Sequence, residues 1–322
     1  MRTRILKTVQ AMVSITLLGY VLSIIPLNEI SNALFSISLP LLLAGFLVTL
    51  FSQYLTSVQM SWVMGRQTTM LSTYRIFVVN LVTQFYGLFL PGTLAGGAVR
   101  WYHFKISGVA PADALAAIIF NRVFETFLLV GIGALFLATD VNRISNIISL
   151  SAVAFISLLL VATYYVLFNP RSHSLLVLIH QRLTNRGTWR SKLQKLVDAL
   201  ARYNVLNAGF RLKLLAMGIT RHVIGIIGIY IFALALDIEI SFYTLAWVRS
   251  VFTLLVMLPI SISGLGVREL TFVSILTQYG VPAGSALMLS LVLFCRGLVF
   301  ALVGGLYELK RVFPLKRGTK LT

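Results

Sequence analysis

The chain has 322 residues, 58% of them apolar and only 11% charged, with a mean hydropathy of +0.91. No soluble domain of this length needs so much apolar surface, so soluble classes are excluded and a polytopic α-helical membrane protein is expected. The net charge of +18 then reads as positive-inside bias, not as a surface for nucleic acid, which is not expected as a partner.

In chain order, Arg2, Arg4 and Lys7 precede an apolar run over 8–27. The run is long and no small-residue cleavage site follows, so it reads as an uncleaved first span. A second span is expected over 39–62. The region 75–105 is apolar but interrupted by Leu90-Pro91-Gly92-Thr93-Leu94-Ala95-Gly96-Gly97-Ala98-Val99-Arg100. Spans over 112–138 and 147–168 follow, the first carrying Phe120-Asn121-Arg122 and Glu125. The polar segment 169–213 places Leu193, Leu196, Val197, Leu200 and Tyr203 at helical spacing among basic residues. It reads as a cytoplasmic basic amphipathic helix on the inner leaflet. A span over 214–236 contains Arg221. The region 242–278 contains Arg249 and a second interruption, Leu258-Pro259-Ile260-Ser261-Ile262-Ser263-Gly264-Leu265-Gly266-Val267-Arg268, followed by Glu269. The last span, 284–308, carries Phe294-Cys295-Arg296. Cys295 is the only cysteine, so no intramolecular disulfide can form, and it reads as a buried small hydrophobe.

The two interruptions are one motif used twice. Leu-Pro opens each, glycine falls at the same offset, and Val-Arg closes each. If both regions turn back on the side they enter, twenty of the 27 Lys and Arg residues lie inside, and Arg143 alone lies in an outer loop. Making either region a single crossing would put a basic segment outside, against the rule that sets orientation. The expected fold is therefore all-α, with six spanning helices plus two re-entrant helical hairpins in an inverted repeat. Residues 1–322 form a single integral membrane domain. Its halves are 8–138 and 147–308, the linker 169–213 falling within the second, and both termini are cytoplasmic.

Six arginines fall within membrane-depth sequence, Arg100, Arg122, Arg221, Arg249, Arg268 and Arg296, accompanied only by Glu125 and Glu269. A charge at the bilayer centre costs about 2.5–3.5 kcal/mol even on a lenient insertion scale. Two carboxylates leave four arginines uncompensated, an excess explained by a cavity for a negatively charged group. Arg221 either snorkels to the inner headgroups or serves that cavity. Arg122 and Glu125, three apart, either form an internal ion pair or belong to the site. Glu269 follows Arg268 directly and is expected to pair with a different arginine. Arg100 and Arg268 follow short half-helices whose starts are marked by Thr93, or by Ser261 and Ser263, and the free N–H groups there suit a phosphate. Gly96, Gly97, Gly264 and Gly266 serve either close backbone approach to a ligand or tight helix packing. The histidines, His103, His173, His180 and His222, show no metal-ligand spacing, and no nucleotide-binding loop is present, so no cofactor is expected.

Asn80 with the segment Leu90-Pro91 to Arg100, Asn121-Arg122 with Glu125, and Pro259 through Ser263-Gly264-Leu265-Gly266-Val267-Arg268-Glu269 give the chain a resemblance. It resembles the flippase-like membrane family named after the transmembrane region of lysylphosphatidylglycerol synthase. The resemblance covers nearly the whole chain and implies movement of anionic phospholipids or polyprenyl-phosphate-linked lipids between leaflets. It also implies a bacterial plasma membrane, membrane lipids with anionic headgroups as partners, and a separate lipid-modifying or glycosyltransferase enzyme alongside. Fused members carry an aminoacyltransferase domain that this sequence lacks, so lipid lysylation is not assigned to it; the arginine cavity makes a transporter, not an enzyme, the expectation. The alternatives are a membrane-embedded transferase on a polyprenyl-phosphate or phospholipid substrate and a small-anion carrier. Gly225/Gly228 and Gly304/Gly305 permit close helix contacts, within one chain or in a homodimer.

Overall fold

A computed structural model of the chain describes residues 2–26, 28–29, 37–67, 69–89, 93–140, 158, 162–163, 165, 188–258, 260–261 and 263–312, with side chains except at 2–11, 93–95, 188–193, 204 and 312. The expected span over 147–168, the first break at Leu90-Pro91-Gly92 and Pro259 of the second lie outside the fully described residues. The regular elements described are helical. They are α1 (Arg2–Ile24), α2 (Leu39–Met64), α3 (Thr73–Phe89), α4 (Thr93–Ile106), α5 (Pro111–Thr139), α6 (Thr188–Asn204), α7 (Ala208–Ala235), α8 (Phe242–Met257), α9 (Val267–Leu276) and α10 (Ala283–Val312). Local chemistry sets the ends. Proline occupies the first turn of α2 and α5, where its missing N–H costs nothing. Asn207 and Ser241 cap α7 and α8 by accepting from Phe210 N and Thr244 N at 2.8 and 3.0 Å. Among the described residues α2, α5, α7 and α10 are long and apolar enough to cross a membrane.

Packing follows a two-fold pattern. α2 packs on α7 at the centre, and around this pair α3 packs on α10 as α8 packs on α5. Likewise α2 packs on α3 as α7 on α8, and α2 on α5 as α7 on α10. The limbs α3 and α4 pack together as do α8 and α9, and α4 meets α5 as α9 meets α10. Exchanging α2 for α7, α3 for α8, α4 for α9 and α5 for α10 maps these contacts onto one another. Two apolar clusters lie at opposite ends of the bundle. One joins Met60 and Met64 of α2, Phe120 of α5 and Leu214 of α7; the other joins Phe46 of α2, Phe136 of α5 and Phe232 of α7. Ile76 of α3 and Phe104 of α4 share the first cluster, whereas Leu245 of α8 and Phe272 of α9 share the second. The pair α3–α4 thus contributes to one cluster and the pair α8–α9 to the other.

α6 corrects one expectation. Its apolar face is not turned to lipid: Val197, Ala199 and Tyr203 are buried, and the Tyr203 ring stacks on Phe120 of α5 with centroids 4.1 Å apart. Arg202 pairs with Asp113 at 3.2 Å and donates to Gln67 Oε1 at 2.6 Å, so α5 offers charge as well as apolar surface. Burial raises the Tyr203 hydroxyl above the ordinary tyrosine range, and the neutral group donates to Val63 O at 3.2 Å.

Between helices in lipid, packing relies on small residues that let backbones approach. A side chain at Gly304 of α10 would collide with the Leu81 carbonyl of α3, and one at Gly228 of α7 with Thr49 of α2 at 2.6 Å. These glycines therefore serve helix contacts inside the chain. Gly304→Val is expected to cost about 1–3 kcal/mol through overpacking, read as a lowered thermal unfolding midpoint in detergent. An unchanged midpoint would contradict the α3–α10 crossing.

Candidate functional site

The space between the two apolar clusters is polar. Thr49, Ser52, Gln53 and Thr56 recur at helical spacing on one face of α2 and face Arg221 and Gly225 of α7 across a cavity of about 190 Å³. Gln84 of α3, Arg249 of α8, and Arg296 and Phe300 of α10 complete its lining. Arg221, Arg249 and Arg296 each lie near the middle of their helices, which places the cavity at mid-height of the bundle. Among the described residues no carboxylate lines it. At about 30 Å³ of liquid volume per water, it accommodates a phosphate or similar headgroup but not a whole phospholipid.

Behind the lining runs a network carried by residues far apart in sequence. Glu125 of α5 forms an ion pair with Arg221 and accepts from Gln59 of α2. Gln59 Nε2 also donates to Asn121 Oδ1 at 3.0 Å. His222 lies between charges: Nε2 is 3.3 Å from Glu125 Oε2 and 2.9 Å from Arg221 Nη2, and Nδ1 is 3.1 Å from Arg249 Nη1. A neutral imidazole has one donor and one acceptor nitrogen. Arginine can only donate, so the one acceptor nitrogen serves Arg221 at Nε2 or Arg249 at Nδ1, according to the tautomer. Arg221 Nε is buried without a partner among the described residues, and so is Arg296 Nε. The ionic neighbours bearing on Arg296 are Arg249 and Arg268, both cations. One carboxylate thus serves three cavity arginines.

Several sequence expectations change. Arg221 does not snorkel: it is 8% exposed and held by Glu125, because α7 begins at Ala208 and brings it deeper than a span starting at 214 would. Glu125 pairs with Arg221 on a neighbouring helix, and Arg122 is exposed and makes no ion pair with a described residue. Glu269 does pair with Arg268, at 2.5 Å. Their position in the first turn of α9 lets the carboxylate fold back to accept from Gly266 N at 2.7 Å and from the guanidinium together. Arg268 further donates to Ser290 at 3.0 Å. The start of α9 is therefore satisfied internally and is not open to a phosphate. Ser263 does not cap α9 either; with φ at +53° its hydroxyl donates to Gly87 O at the end of α3, at 3.0 Å.

The remaining expected site residues are spread around the cavity. Gly264 and Gly266 have φ of +77° and +81°, and a side chain at Gly266 would strike Leu17 of α1 at 2.5 Å, so both serve chain turning and packing. Gly96 lies against Thr83, 3.2 Å from where a Cβ would stand, and Gly97 faces open space. Asn80 donates to Ser57 at 2.9 Å. Arg100 lies near Arg122, and its buried Nε has no partner among the described residues. This pair is the two-fold counterpart of Arg268 and Arg296. Cys295 is exposed, because its helix turns Arg296 inward. The residues missed in the sequence are the Thr49-Ser52-Gln53-Thr56 stripe, Gln59, Gln84 and His222. Only the stripe left a signal, four polar residues spaced along one face of an apolar helix.

With the geometry established, comparison with known families is decisive: the model of the lysylphosphatidylglycerol synthase TM region matches residues 8–305. The chain belongs to this family. Compared with curated proteins it matches none. Family membership and the apolar helices make it a multi-pass membrane protein with a membrane-embedded role in lipid handling.

The two kinds of buried arginine should respond oppositely to substitution. Glu269→Ala strands Arg268, which is only 7% exposed, and should destabilise by about 3–5 kcal/mol. Arg296→Leu removes an uncompensated charge and should raise the unfolding midpoint, a stability gain at functional cost. Equal losses in both variants, measured by thermal unfolding in one detergent, would contradict the distinction.

Proposed function

We propose that the chain is a lipid translocase of the flippase kind. The headgroup of an anionic phospholipid, or of a polyprenyl-phosphate-linked lipid, occupies the arginine cavity while its acyl chains remain in the bilayer. The reading is carried by one observation: three arginines and five small polar side chains surround a mid-height cavity that, among the described residues, holds no carboxylate. Guanidinium groups present planar, paired donors that match phosphate oxygens. They act at a depth where water cannot solvate the headgroup, so the cavity lowers the barrier to crossing.

In this reading the helical pairs α3–α4 and α8–α9 are re-entrant hairpins that enter from opposite faces. Six spans complete the fold, the halves are inverted, and both termini face the cytoplasm of a bacterial cell. The central α2–α7 contact, related to itself by the two-fold, is where the halves can rock against each other around a fixed site. A transferase reading needs a free carboxylate near the cavity to act as base. The nearest one, Glu125, is bound by Arg221, His222 and Gln59.

The test is leaflet exchange of fluorescent phosphatidylglycerol in proteoliposomes, read after quenching the outer leaflet. Arg249→Ala and Arg296→Ala should each slow exchange about tenfold to a hundredfold, as for loss of a charge-assisted hydrogen bond of about 1.5–3 kcal/mol. Exchange unchanged by both substitutions would remove the cavity as the route. Absence of exchange by the folded wild-type protein, with transfer chemistry detected instead, would favour the transferase.

A further inference from the structure

Two of the three cavity arginines are already engaged by the protein's own carboxylate. Glu125 holds Arg221 directly and reaches Arg249 through the His222 ring, whose two nitrogens are 3.3 Å from Glu125 Oε2 and 3.1 Å from Arg249 Nη1. Arg296 alone is ungripped among the described residues. An incoming phosphate needs the same guanidinium donors that Glu125 uses, and it brings a second negative charge to the site. Two anions so close do not both remain ionised without enough cations to share, and a buried carboxylate that loses its arginine neutralises by taking up a proton.

We infer that Glu125 is a tethered stand-in for the substrate phosphate, and that headgroup binding displaces Arg221 and Arg249 from it, coupled to uptake of one proton by Glu125. The proposal rests on the lipid-binding reading of the cavity and adds its regulation. In the proton step a Glu125 carboxylate oxygen takes one proton from the buffer acid, leaving the buffer's conjugate base, and becomes a carboxyl. The freed carboxyl retains Gln59 and Asn121 as neighbours, the side chains that now hold the Glu125 end of the network. The groups around Glu125 are few. α7 presents Arg221 and His222, and α2 presents Gln59. On α5 itself are Asn121 and the exposed Arg122, and α8 contributes Arg249 beyond the His222 ring. Arg100 of α4 bears on Arg122, and Arg202 of α6 is bound to Asp113 at the start of α5. Within this set Glu125 is the acid that loses its cationic partner when a headgroup takes Arg221. His222 gains nothing from a proton, because a protonated ring would lose its acceptor nitrogen and stand between two cations.

The sign follows from linkage: a site that takes up a proton on binding binds more tightly as pH falls, and protonation in turn favours the ligand by the same factor. The test is calorimetric titration of the full-length protein in detergent with short-chain phosphatidylglycerol, a phosphodiester that does not itself titrate near neutral pH. Two buffers of different ionisation enthalpy report the protons taken up. Wild type is expected to take up about one proton per lipid bound. Glu125→Gln should take up none and bind about tenfold more tightly at pH 7.5, since the competing carboxylate is gone. Glu125→Asp, which keeps an acid, should retain the uptake and serves as the control for folding. Binding by wild type without proton uptake would overturn the coupling and leave the lipid-binding reading intact. Uptake that persists in Glu125→Gln would overturn the assignment to Glu125. No binding by folded wild type would overturn both.

Discussion

The structure is organised around guanidinium charge held at mid-height in a bundle of apolar helices. Arg221 and Glu125 meet there from neighbouring helices, and breaking such a pair leaves a charge with nowhere to go. The apolar clusters at the two ends of the bundle exclude water from above and below. The polar stripe of α2 and the arginines of α7, α8 and α10 occupy the layer between them. A structural role would call for one carboxylate per arginine. Among the described residues there is one for the three cavity arginines, and the proposed function rests on this imbalance.

The two-fold packing gives the imbalance its place. The α2–α7 pair lies on the pseudo-axis, and the cavity opens beside it between elements drawn from both halves. The repeat is not copied faithfully at the charges. Arg268 follows the second break and is neutralised by Glu269 and Ser290, whereas Trp101 follows Arg100 and no described carboxylate answers that arginine. Glu125 in α5 has Val299 at the corresponding position of α10. The packing is two-fold, and single residue differences between the halves decide which arginines are neutralised within the chain.

Much of this was legible in the sequence. Hydropathy located α2, α5, α7 and α10, and the repeated Leu-Pro to Val-Arg motif fell between α3 and α4 and between α8 and α9. The sequence also singled out Arg249 and Arg296, which the structure brings to one cavity. What was not legible depends on contacts between distant residues. Gln59, Glu125 and His222 belong to three helices, and nothing local shows that they converge. Arg221 was ambiguous because its depth depends on where α7 begins, and Asn207 places that start six residues before the hydropathy does. Glu269 was misassigned because helical face rules apply within a helix, whereas in its first turn a carboxylate can reach back to the free N–H groups and to its neighbour at once.

The most direct test of the central claim is a structure of the protein in lipid nanodiscs containing phosphatidylglycerol, at a resolution that shows a phosphate. The account predicts headgroup density in the mid-height cavity, within hydrogen-bonding distance of Arg249 and Arg296, with Arg221 turned from Glu125 toward it. An empty cavity with ordered lipid phosphate at Arg100 and Arg122 instead would contradict it and move the site to the other side of the pseudo-axis.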